Sequence, residues 1–331
     1  MAYARNARRK PNNMKTFIKV IFILSLIGIF STLFFLPINE QEPEKHEIKV
    51  VATIFPAYDL ARSISKDTDV QSKMLIQPGS DLHSYEPSPQ DIVDIKNSDI
   101  FIYNGGESEE WVEKIISEIN TANTIIIRMM DSVELKTENK DGIIEKEEGE
   151  QEEYDEHIWT SPKNAIKIAK TIAQAFKNSN PDSTATYQRN LEQLTEEINE
   201  LDKKFRQLAD KKTGTLIVAD RFPFKYFVEE YGFDYIAAFP GCSEQTEASA
   251  KTIAELSKII AQNHEQIIFH LELTNTKIAQ TLAESTGAHQ LTWHSLHNVS
   301  LEDFNAGYSY VDIMTDNLNN LDKALHDRIA N

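Results

Sequence analysis

Apolar residues in this chain fall into two kinds of block that follow each other in turn. Short β-branched runs such as IKVVATIF (48–55) and TLIVAD (215–220) have the composition of buried strands. Longer segments such as SPKNAIKIAKTIAQAF (161–176) place apolar residues three or four apart, which predicts amphipathic helices. Because strands that alternate with helices form mostly parallel sheets, the pattern indicates an α/β fold.

One helical segment is much longer than the others. Residues 182–210 contain no glycine or proline and keep the helical spacing, which predicts a helix of roughly 40 Å at 1.5 Å per residue. The alternation of strands and helices occurs on both sides of it, in residues 48–181 and 211–331. We therefore expect two α/β lobes, each a mostly parallel sheet flanked by helices, joined by one long rigid helix.

The N-terminal residues follow a different pattern. Residues 1–19 carry six basic side chains and no acid, and residues 20–38 are uncharged over about the length of a membrane-spanning helix. Because the positive charges precede this segment, residues 39–331 are expected outside the cytoplasm. No small-x-small cleavage site or lipid-accepting cysteine follows, so the sequence favours an uncleaved transmembrane anchor with a short linker at 39–47.

The charge balance narrows the class of partner. The formal net charge is −18, and residues 1–19 contribute +6 to it, so the rest of the chain carries −24. Such a surface repels phosphates, which argues against nucleic-acid binding, and attracts cations. The single cysteine, Cys242, excludes an internal disulfide and a CxxC zinc or redox motif.

Histidines and carboxylates follow several predicted strands at the point where each strand ends. His83 and His157 belong to the first lobe, and Asp220, Glu272 and His294 belong to the second. Ligands of open α/β sheets bind outside these strand ends. Imidazole with carboxylate is a donor set for a borderline metal, with zinc first and manganese less natural.

Catalytic motifs are missing from the sequence. There is no G-x-S-x-G elbow, no P-loop and no H-E-x-x-H, so hydrolase, phosphotransferase and metalloprotease activities lack a nucleophile or a template. We therefore expect a binding protein and not an enzyme.

Two segments carry a specific resemblance. GSDLHSYEPSPQD (79–91) and DEHIWTSPKNA (155–165) together resemble the zinc- and manganese-binding solute-binding proteins of ABC importers, and the likeness extends over about residues 47–327. The resemblance implies a monomeric, extracytoplasmic protein that captures a divalent metal between two lobes and delivers it to an ABC permease. It also implies that the metal is the transported ligand, zinc first and manganese second.

The resemblance implies specific ligands. His83 and His157 match the two histidine motifs, and the family's late aspartate falls on His294, with His297 and Glu86 as groups that orient the ligands. The family's third ligand falls on Arg221, whose guanidinium has no lone pair to offer a metal.

Three alternatives follow from Arg221. Asp220 or Glu272 could supply the missing carboxylate while Arg221 pairs with the other acid. Water could instead complete a site of three histidines. In the third alternative the site takes something other than a bare cation.

Two functions outside transport stay open at this stage. An adhesion or surface-interaction protein could retain the fold with altered or lost metal transport, as Arg221 suggests. A metallo-hydrolase would need the open coordination position that only the three-histidine alternative provides.

The acidic segment 138–156 precedes His157 directly. Charge runs of this kind are usually solvated, so we expect a mobile loop with weak, exchangeable carboxylate sites that ends abruptly at the histidine. Its negative potential would concentrate cations near the cleft.

Overall fold

The structure is a computed structural model that describes most of the chain beyond residue 46. The described residues are 14, 19, 22, 47–80, 85–118, 123–138, 141–145, 153–241, 243 and 247–326. The chain divides into two units, Met1–His46 and Glu47–Asn331. No helix within the described residues is long and apolar enough to cross a membrane. Apart from Phe22, the predicted anchor at 20–38 lies outside those residues, so it stays a prediction.

The first sheet contains four parallel strands in the order β2-β1-β3-β4. Its strands are β1 Ile48–Ala52, β2 Val70–Met74, β3 Ile100–Tyr103 and β4 Ile125–Arg128. Around them lie α1 Phe55–Ile64, α2 Pro89–Lys96, α3 Glu110–Glu118 and α4 Pro162–Ser179. All four residues of β3 are buried, because Ile100 and Ile102 pack into one apolar cluster while Phe101 and Tyr103 pack into another on the opposite face.

The second sheet repeats the arrangement with the order β6-β5-β7-β8, again all parallel. Its strands are β5 Leu216–Arg221, β6 Tyr235–Phe239, β7 Ile267–His270 and β8 His289–Thr292. The helices that follow the long one are α6 Lys225–Tyr231, α7 Ala250–Asn263, α8 Lys277–Thr286, α9 Leu301–Ala306 and α10 Tyr310–His326. The predicted fold class is confirmed, although the short helix α9 was not anticipated.

The predicted linking helix is α5, Thr184–Ala209, which has 26 residues and a length of about 39 Å. Its buried residues recur every three or four positions, from Tyr187 through Leu194 and Leu201 to Leu208. Helix α5 packs against α1 and α4 of the first lobe and against α10 from the end of the chain. One apolar cluster therefore runs from Ile172 in the first lobe to Trp293 in the second. The predicted boundaries of the lobes, at residues 181 and 211, stay a prediction.

The acidic segment is only partly the free loop that was expected. Its two ends pair with each other, since Glu138 N donates to Glu153 O and Asp155 N donates to Lys136 O. Residues 141–145 then run alongside β6: Ala237 N donates to Gly142 O, and Ile144 N donates to Ala237 O. Ile143 is buried there. The expectation of a mobile loop is therefore wrong for 141–145, because two isoleucines within the acidic run have an apolar sheet edge to cover. Residues 139–140 and 146–152 lie outside the described residues.

Candidate metal-binding site

His157 lies at the entrance to α4 with its side chain only 1% exposed. Its Nδ1 lies 3.0 Å from Asp155 Oδ1, and the same oxygen accepts the backbone N–H of His157 at 2.9 Å. Because a carboxylate only accepts, Nδ1 carries the proton in the neutral ring and the lone pair lies on Nε2. Within the described chain Nε2 has no hydrogen-bond partner. Metal-ligating histidines have this arrangement: one ring nitrogen donates to a carboxylate, and the lone pair of the other nitrogen is available to the metal.

Local contacts fix this position of His157. A short 3-10 turn, Ile158–Thr160, follows the histidine, and Thr160 Oγ1 donates to His157 O at 2.7 Å. The Ser161 hydroxyl then accepts the Asn164 N–H and caps α4, as the sequence predicted. Ile158 and Trp159 are fully buried, so the turn is anchored in the core.

The buried carboxyl groups of the first lobe include that of Glu156, the residue before His157, and that of Glu109. Glu156 Oε1 accepts the Ser108 N–H at 2.9 Å, and burial raises the pKa of this carboxyl group. Glu109 Oε2 accepts the Gly105 N–H at 2.8 Å, and burial raises its pKa to about 7. Each side chain therefore helps to fix a loop at the end of the first sheet.

His297 is the imidazole that meets His157. The two ring centroids are 4.6 Å apart and the rings are inclined at 73°. His297 Nδ1 lies 3.0 Å from Ser295 Oγ, and that hydroxyl gives its proton to Glu272 Oε1 at 2.5 Å. The neutral imidazole therefore donates from Nδ1 and has its lone pair on Nε2, as in His157. The structure brings together one histidine from each lobe, and each is hydrogen-bonded through Nδ1.

Trp159 connects the two histidines. Its ring lies 5.6 Å from that of His157 and 5.2 Å from that of His297, measured between centroids. Its Nε1 donates to Ser295 O at 2.8 Å, which links the α4 entrance to the loop after β8. The indole therefore contacts both imidazoles and is hydrogen-bonded to the loop that carries His297.

The predicted ligand His294 faces a different set of groups. Its Nδ1 accepts the Leu296 N–H at 2.9 Å and lies 3.5 Å from Glu272 Oε1. Its backbone N–H and C=O are both bound by the Asn317 side chain. Because the Nδ1 lone pair is engaged, the proton of the neutral ring lies on Nε2. These contacts favour His297 over His294 as the second-lobe donor, and a ligand role for His294 stays a prediction.

The backbone at Leu296 separates the two histidines. Its φ of 64° is left-handed, a conformation that a bulky residue adopts at a cost of about 1–2 kcal/mol. The Leu296 side chain is completely buried, and its packing holds the turn. The spacing of the two histidines in the sequence does not reveal this left-handed backbone at Leu296.

Asp220 and Glu272, the two predicted carboxylate ligands, bind loop residues. Asp220 Oδ1 accepts the Arg221 N–H at 2.9 Å, and its Oδ2 accepts the Thr274 hydroxyl at 2.6 Å. Glu272 Oε2 accepts the Ser295 N–H at 2.7 Å in addition to the hydroxyl contact. Asp220 thus holds the loop after β7, and Glu272 holds the loop after β8. Their role as metal ligands stays a prediction.

A cavity of about 190 Å³ lies where the ends of β5, β7 and β8 face the loop after β2. His297, Glu272, Asp220 and Arg221 line it from the second lobe, and Gly79 and Ser80 line it from the first. Among the described residues no group of three or more His, Cys, Asp or Glu side chains is placed to hold a metal. His83 lies outside those residues, so the described chain provides two imidazoles for a site that needs further donors.

Three groups around His157 were missed in the sequence. Asp155 orients the ring, and the D-x-H spacing was the available signal. Gly241 passes so close that an added Cβ would lie 3.2 Å from His157 Cε1 and 2.9 Å from Phe222 O. Glu138, at the start of the acidic segment, accepts the Gly241 N–H at 2.8 Å, which places a carboxylate near the imidazole.

Asp155 provides a test of how His157 is oriented. Replacing Asp155 with Ala should weaken zinc binding about 10–100-fold, because the imidazole loses the acceptor that fixes its tautomer and orientation. Asp155→Asn should lose less, since an amide oxygen can still accept from Nδ1. Competition with a chromophoric chelator measures the affinity, and Asp182→Ala on the exposed surface serves as the control. Equal affinities for Asp155→Ala and the control would show that Asp155 does not position the ring.

Comparisons with known proteins agree with this architecture. The family model described as zinc-uptake complex component A, periplasmic (ZnuA), matches residues 50–324. The zinc-binding lipoprotein AdcA of Streptococcus pneumoniae (strain ATCC BAA-255 / R6) is 27% identical over 296 residues, which cover 88% of this chain and 59% of that protein. The high-affinity zinc uptake system protein ZnuA of Bacillus subtilis (strain 168) is 29% identical over 294 residues, which cover 84% of this chain and 88% of that one. The chain therefore spans about three fifths of the length of AdcA and most of that of ZnuA.

Solved structures give the same result. The metal-dependent lipoprotein YcdH from Bacillus subtilis superposes with a TM-score of 0.72 at 28% identity, covering 84% of this chain and 99% of that one. The Zn(II)-bound ZnuA-like domain of Streptococcus pneumoniae AdcA superposes with a TM-score of 0.71 at 26% identity, covering 85% and 99%. Together with the family match over residues 50–324, these similarities show that the chain belongs to the ZnuA family of zinc-uptake components.

Proposed function

We propose that this protein is an extracytoplasmic solute-binding protein that captures a divalent transition metal, zinc in first place, and delivers it to the permease of an ABC importer. The observation that carries the proposal is the pair His157 and His297. Each ring is hydrogen-bonded through Nδ1 to an oxygen, of Asp155 or Ser295, and each comes from a different lobe.

The donor chemistry favours zinc over manganese. Two imidazoles form a borderline donor set, whereas manganese prefers carboxylate, carbonyl and water oxygens. Zinc sites reach four ligands with further nitrogen or oxygen donors. His83, at the matching position of the first histidine motif, is the candidate third donor from this chain. The names of the zinc-binding relatives support the same metal.

The remaining parts of the proposal concern location and assembly. The uncharged segment 20–38 anchors the chain in the membrane, and residues 39–331 function outside the cytoplasm as a monomer. Binding is reversible and involves no covalent step, so the protein is not an enzyme. The acidic surface attracts cations toward the cleft.

Metal titration of the full-length chain tests the proposal. Protein prepared without added metal should bind one equivalent of zinc, and bind it more tightly than manganese. Isothermal titration calorimetry and elemental analysis measure affinity and stoichiometry. A well-folded protein that binds neither metal would contradict transport and favour the adhesion or surface-interaction alternative. Hydrolytic turnover with bound zinc would instead favour the metallo-hydrolase.

A further inference from the structure

Arg221 lies in the cleft but has no role in the capture of a bare cation. It ends strand β5, lines the cavity beside His297, and is only 9% exposed. Its backbone N–H donates to Asp220, but among the described residues its guanidinium has no hydrogen-bond or salt-bridge partner. The guanidinium of a residue that lines the cavity presents a rigid fork of donors there, and that fork matches a carboxylate.

The two carboxylates that line the cavity with Arg221 form no hydrogen bond or salt bridge with its guanidinium and are engaged elsewhere. Asp220 receives the Leu271 N–H, the Thr274 hydroxyl and the Arg221 N–H. Both oxygens of Glu272 are bound by Ser295. Because these contacts hold the loops after β7 and β8, neither acid can turn toward the guanidinium without releasing a loop. Within the described part of the chain, the guanidinium is therefore available to a group that enters the cavity.

A metal bound by His157 and His297 makes the binding of such a group in the cavity more favourable. His297 lines the same cavity as Arg221 and contacts His157, so a dication bound there and the guanidinium repel each other. A carboxylate placed between them removes this repulsion, since it ligates the metal and accepts hydrogen bonds from the guanidinium. It also supplies the ligand that Arg221 itself cannot provide.

The size of the cavity limits what can enter. Its volume of about 190 Å³ has room for a small hydroxycarboxylate or an amino acid.

We propose that the cleft takes zinc together with a small carboxylate chelator, with the histidines on the metal and Arg221 on the carboxylate. This inference rests on the proposed function and specifies the form in which the metal is bound. Arg221 then determines specificity, because it selects a metal–carboxylate complex over the bare ion.

Co-retention of zinc and carboxylate tests the inference. The full-length chain is incubated with zinc plus citrate, and separately with zinc plus L-histidine, both isotopically labelled, and is then separated from free ligand by gel filtration. Wild-type protein should retain one equivalent of labelled carboxylate with at least one of the two probes, and only when zinc is present. Arg221→Gln should reduce that retention at least tenfold while zinc still binds.

Companion variants make the result specific to Arg221. Arg221→Lys keeps the charge without the fork and should retain an intermediate amount of carboxylate. Arg221→His restores a metal-binding side chain and should bind zinc without any carboxylate. Arg189→Gln, on the exposed face of α5, should behave as wild type.

Two results would overturn the inference. One is wild-type protein that retains zinc but neither probe, and the other is Arg221→Gln protein that retains carboxylate as wild type does. His157→Ala separates this failure from failure of the proposed function, since it should lose zinc and carboxylate together. Unchanged zinc binding in His157→Ala would refute the histidine site itself, whatever the carboxylate does.

Discussion

Replacing His157 with Ala should weaken zinc binding about 10²–10³-fold. Zinc sites with four protein ligands bind with about 10–16 kcal/mol, so one ligand of four accounts for roughly 2.5–4 kcal/mol, and each 1.4 kcal/mol is a tenfold change. His157 Nε2 is buried without a hydrogen-bond partner in the described chain, so its lone pair is available to the metal and the substitution removes a ligand. Calorimetric titration of the full-length protein measures the change.

The same experiment decides between the two second-lobe histidines. His297→Ala should lose zinc affinity to a similar extent, whereas His294→Ala should keep most of it, because His294 Nδ1 is bound to the Leu296 N–H. Both variants remove an imidazole from one loop, so they are matched in size and location. A large loss in His294→Ala with little change in His297→Ala would establish His294 as the ligand. Thermal melts of the metal-free proteins show whether each variant folds.

Replacing Trp159 with Ala should lower the free energy of unfolding by about 3–5 kcal/mol and weaken zinc binding as well. The side chain is completely buried, and its loss leaves a cavity beside the two imidazoles. The substitution also removes the donor to Ser295 O, a hydrogen bond between the lobes. Urea denaturation without metal measures the first effect, and zinc titration measures the second.

Phenylalanine substitutions separate packing from the hydrogen bond. Trp159→Phe retains an aromatic ring but loses the donor, so we expect a loss of about 1 kcal/mol for the bond plus a smaller packing cost. Trp111→Phe serves as a comparison for the loss of an indole elsewhere in the first lobe, because Trp111 is a partly buried residue that packs against the cluster of Tyr103 and Val112. If Trp159→Ala unfolded no more easily than Trp111→Phe, the indole would not be the main link between the α4 entrance and the loop after β8.

The fold could be predicted from the sequence because local and global signals agree. Strand β3 is a run of four apolar residues buried on both faces, and α5 has a regular apolar spacing over 26 residues. His157 could be located because the motif and its capping serine, Ser161, are adjacent in the chain. Such features depend on neighbours within one or two turns.

The different contacts of the two second-lobe histidines could not be predicted in the same way. His294 and His297 lie three residues apart, and spacing alone gives either of them access to the cleft. The left-handed backbone at Leu296 and the Ser295–Glu272 contact orient them differently, and both depend on packing from elsewhere in the fold. The pairing of residues 141–145 with β6 was also not predicted, because the acidic residues around the two isoleucines gave the segment the composition of a solvated loop.

That pairing has a consequence for solubility. Strand β6 is an outer strand of the second sheet, and an outer strand with unpaired N–H and C=O groups is a template for joining another chain. Residues 142–145 form backbone hydrogen bonds with Ala237 and Ala238, so these edge groups are already paired. The flanking acids repel a second copy of the chain. The acidic segment thus protects the sheet against edge-to-edge self-association.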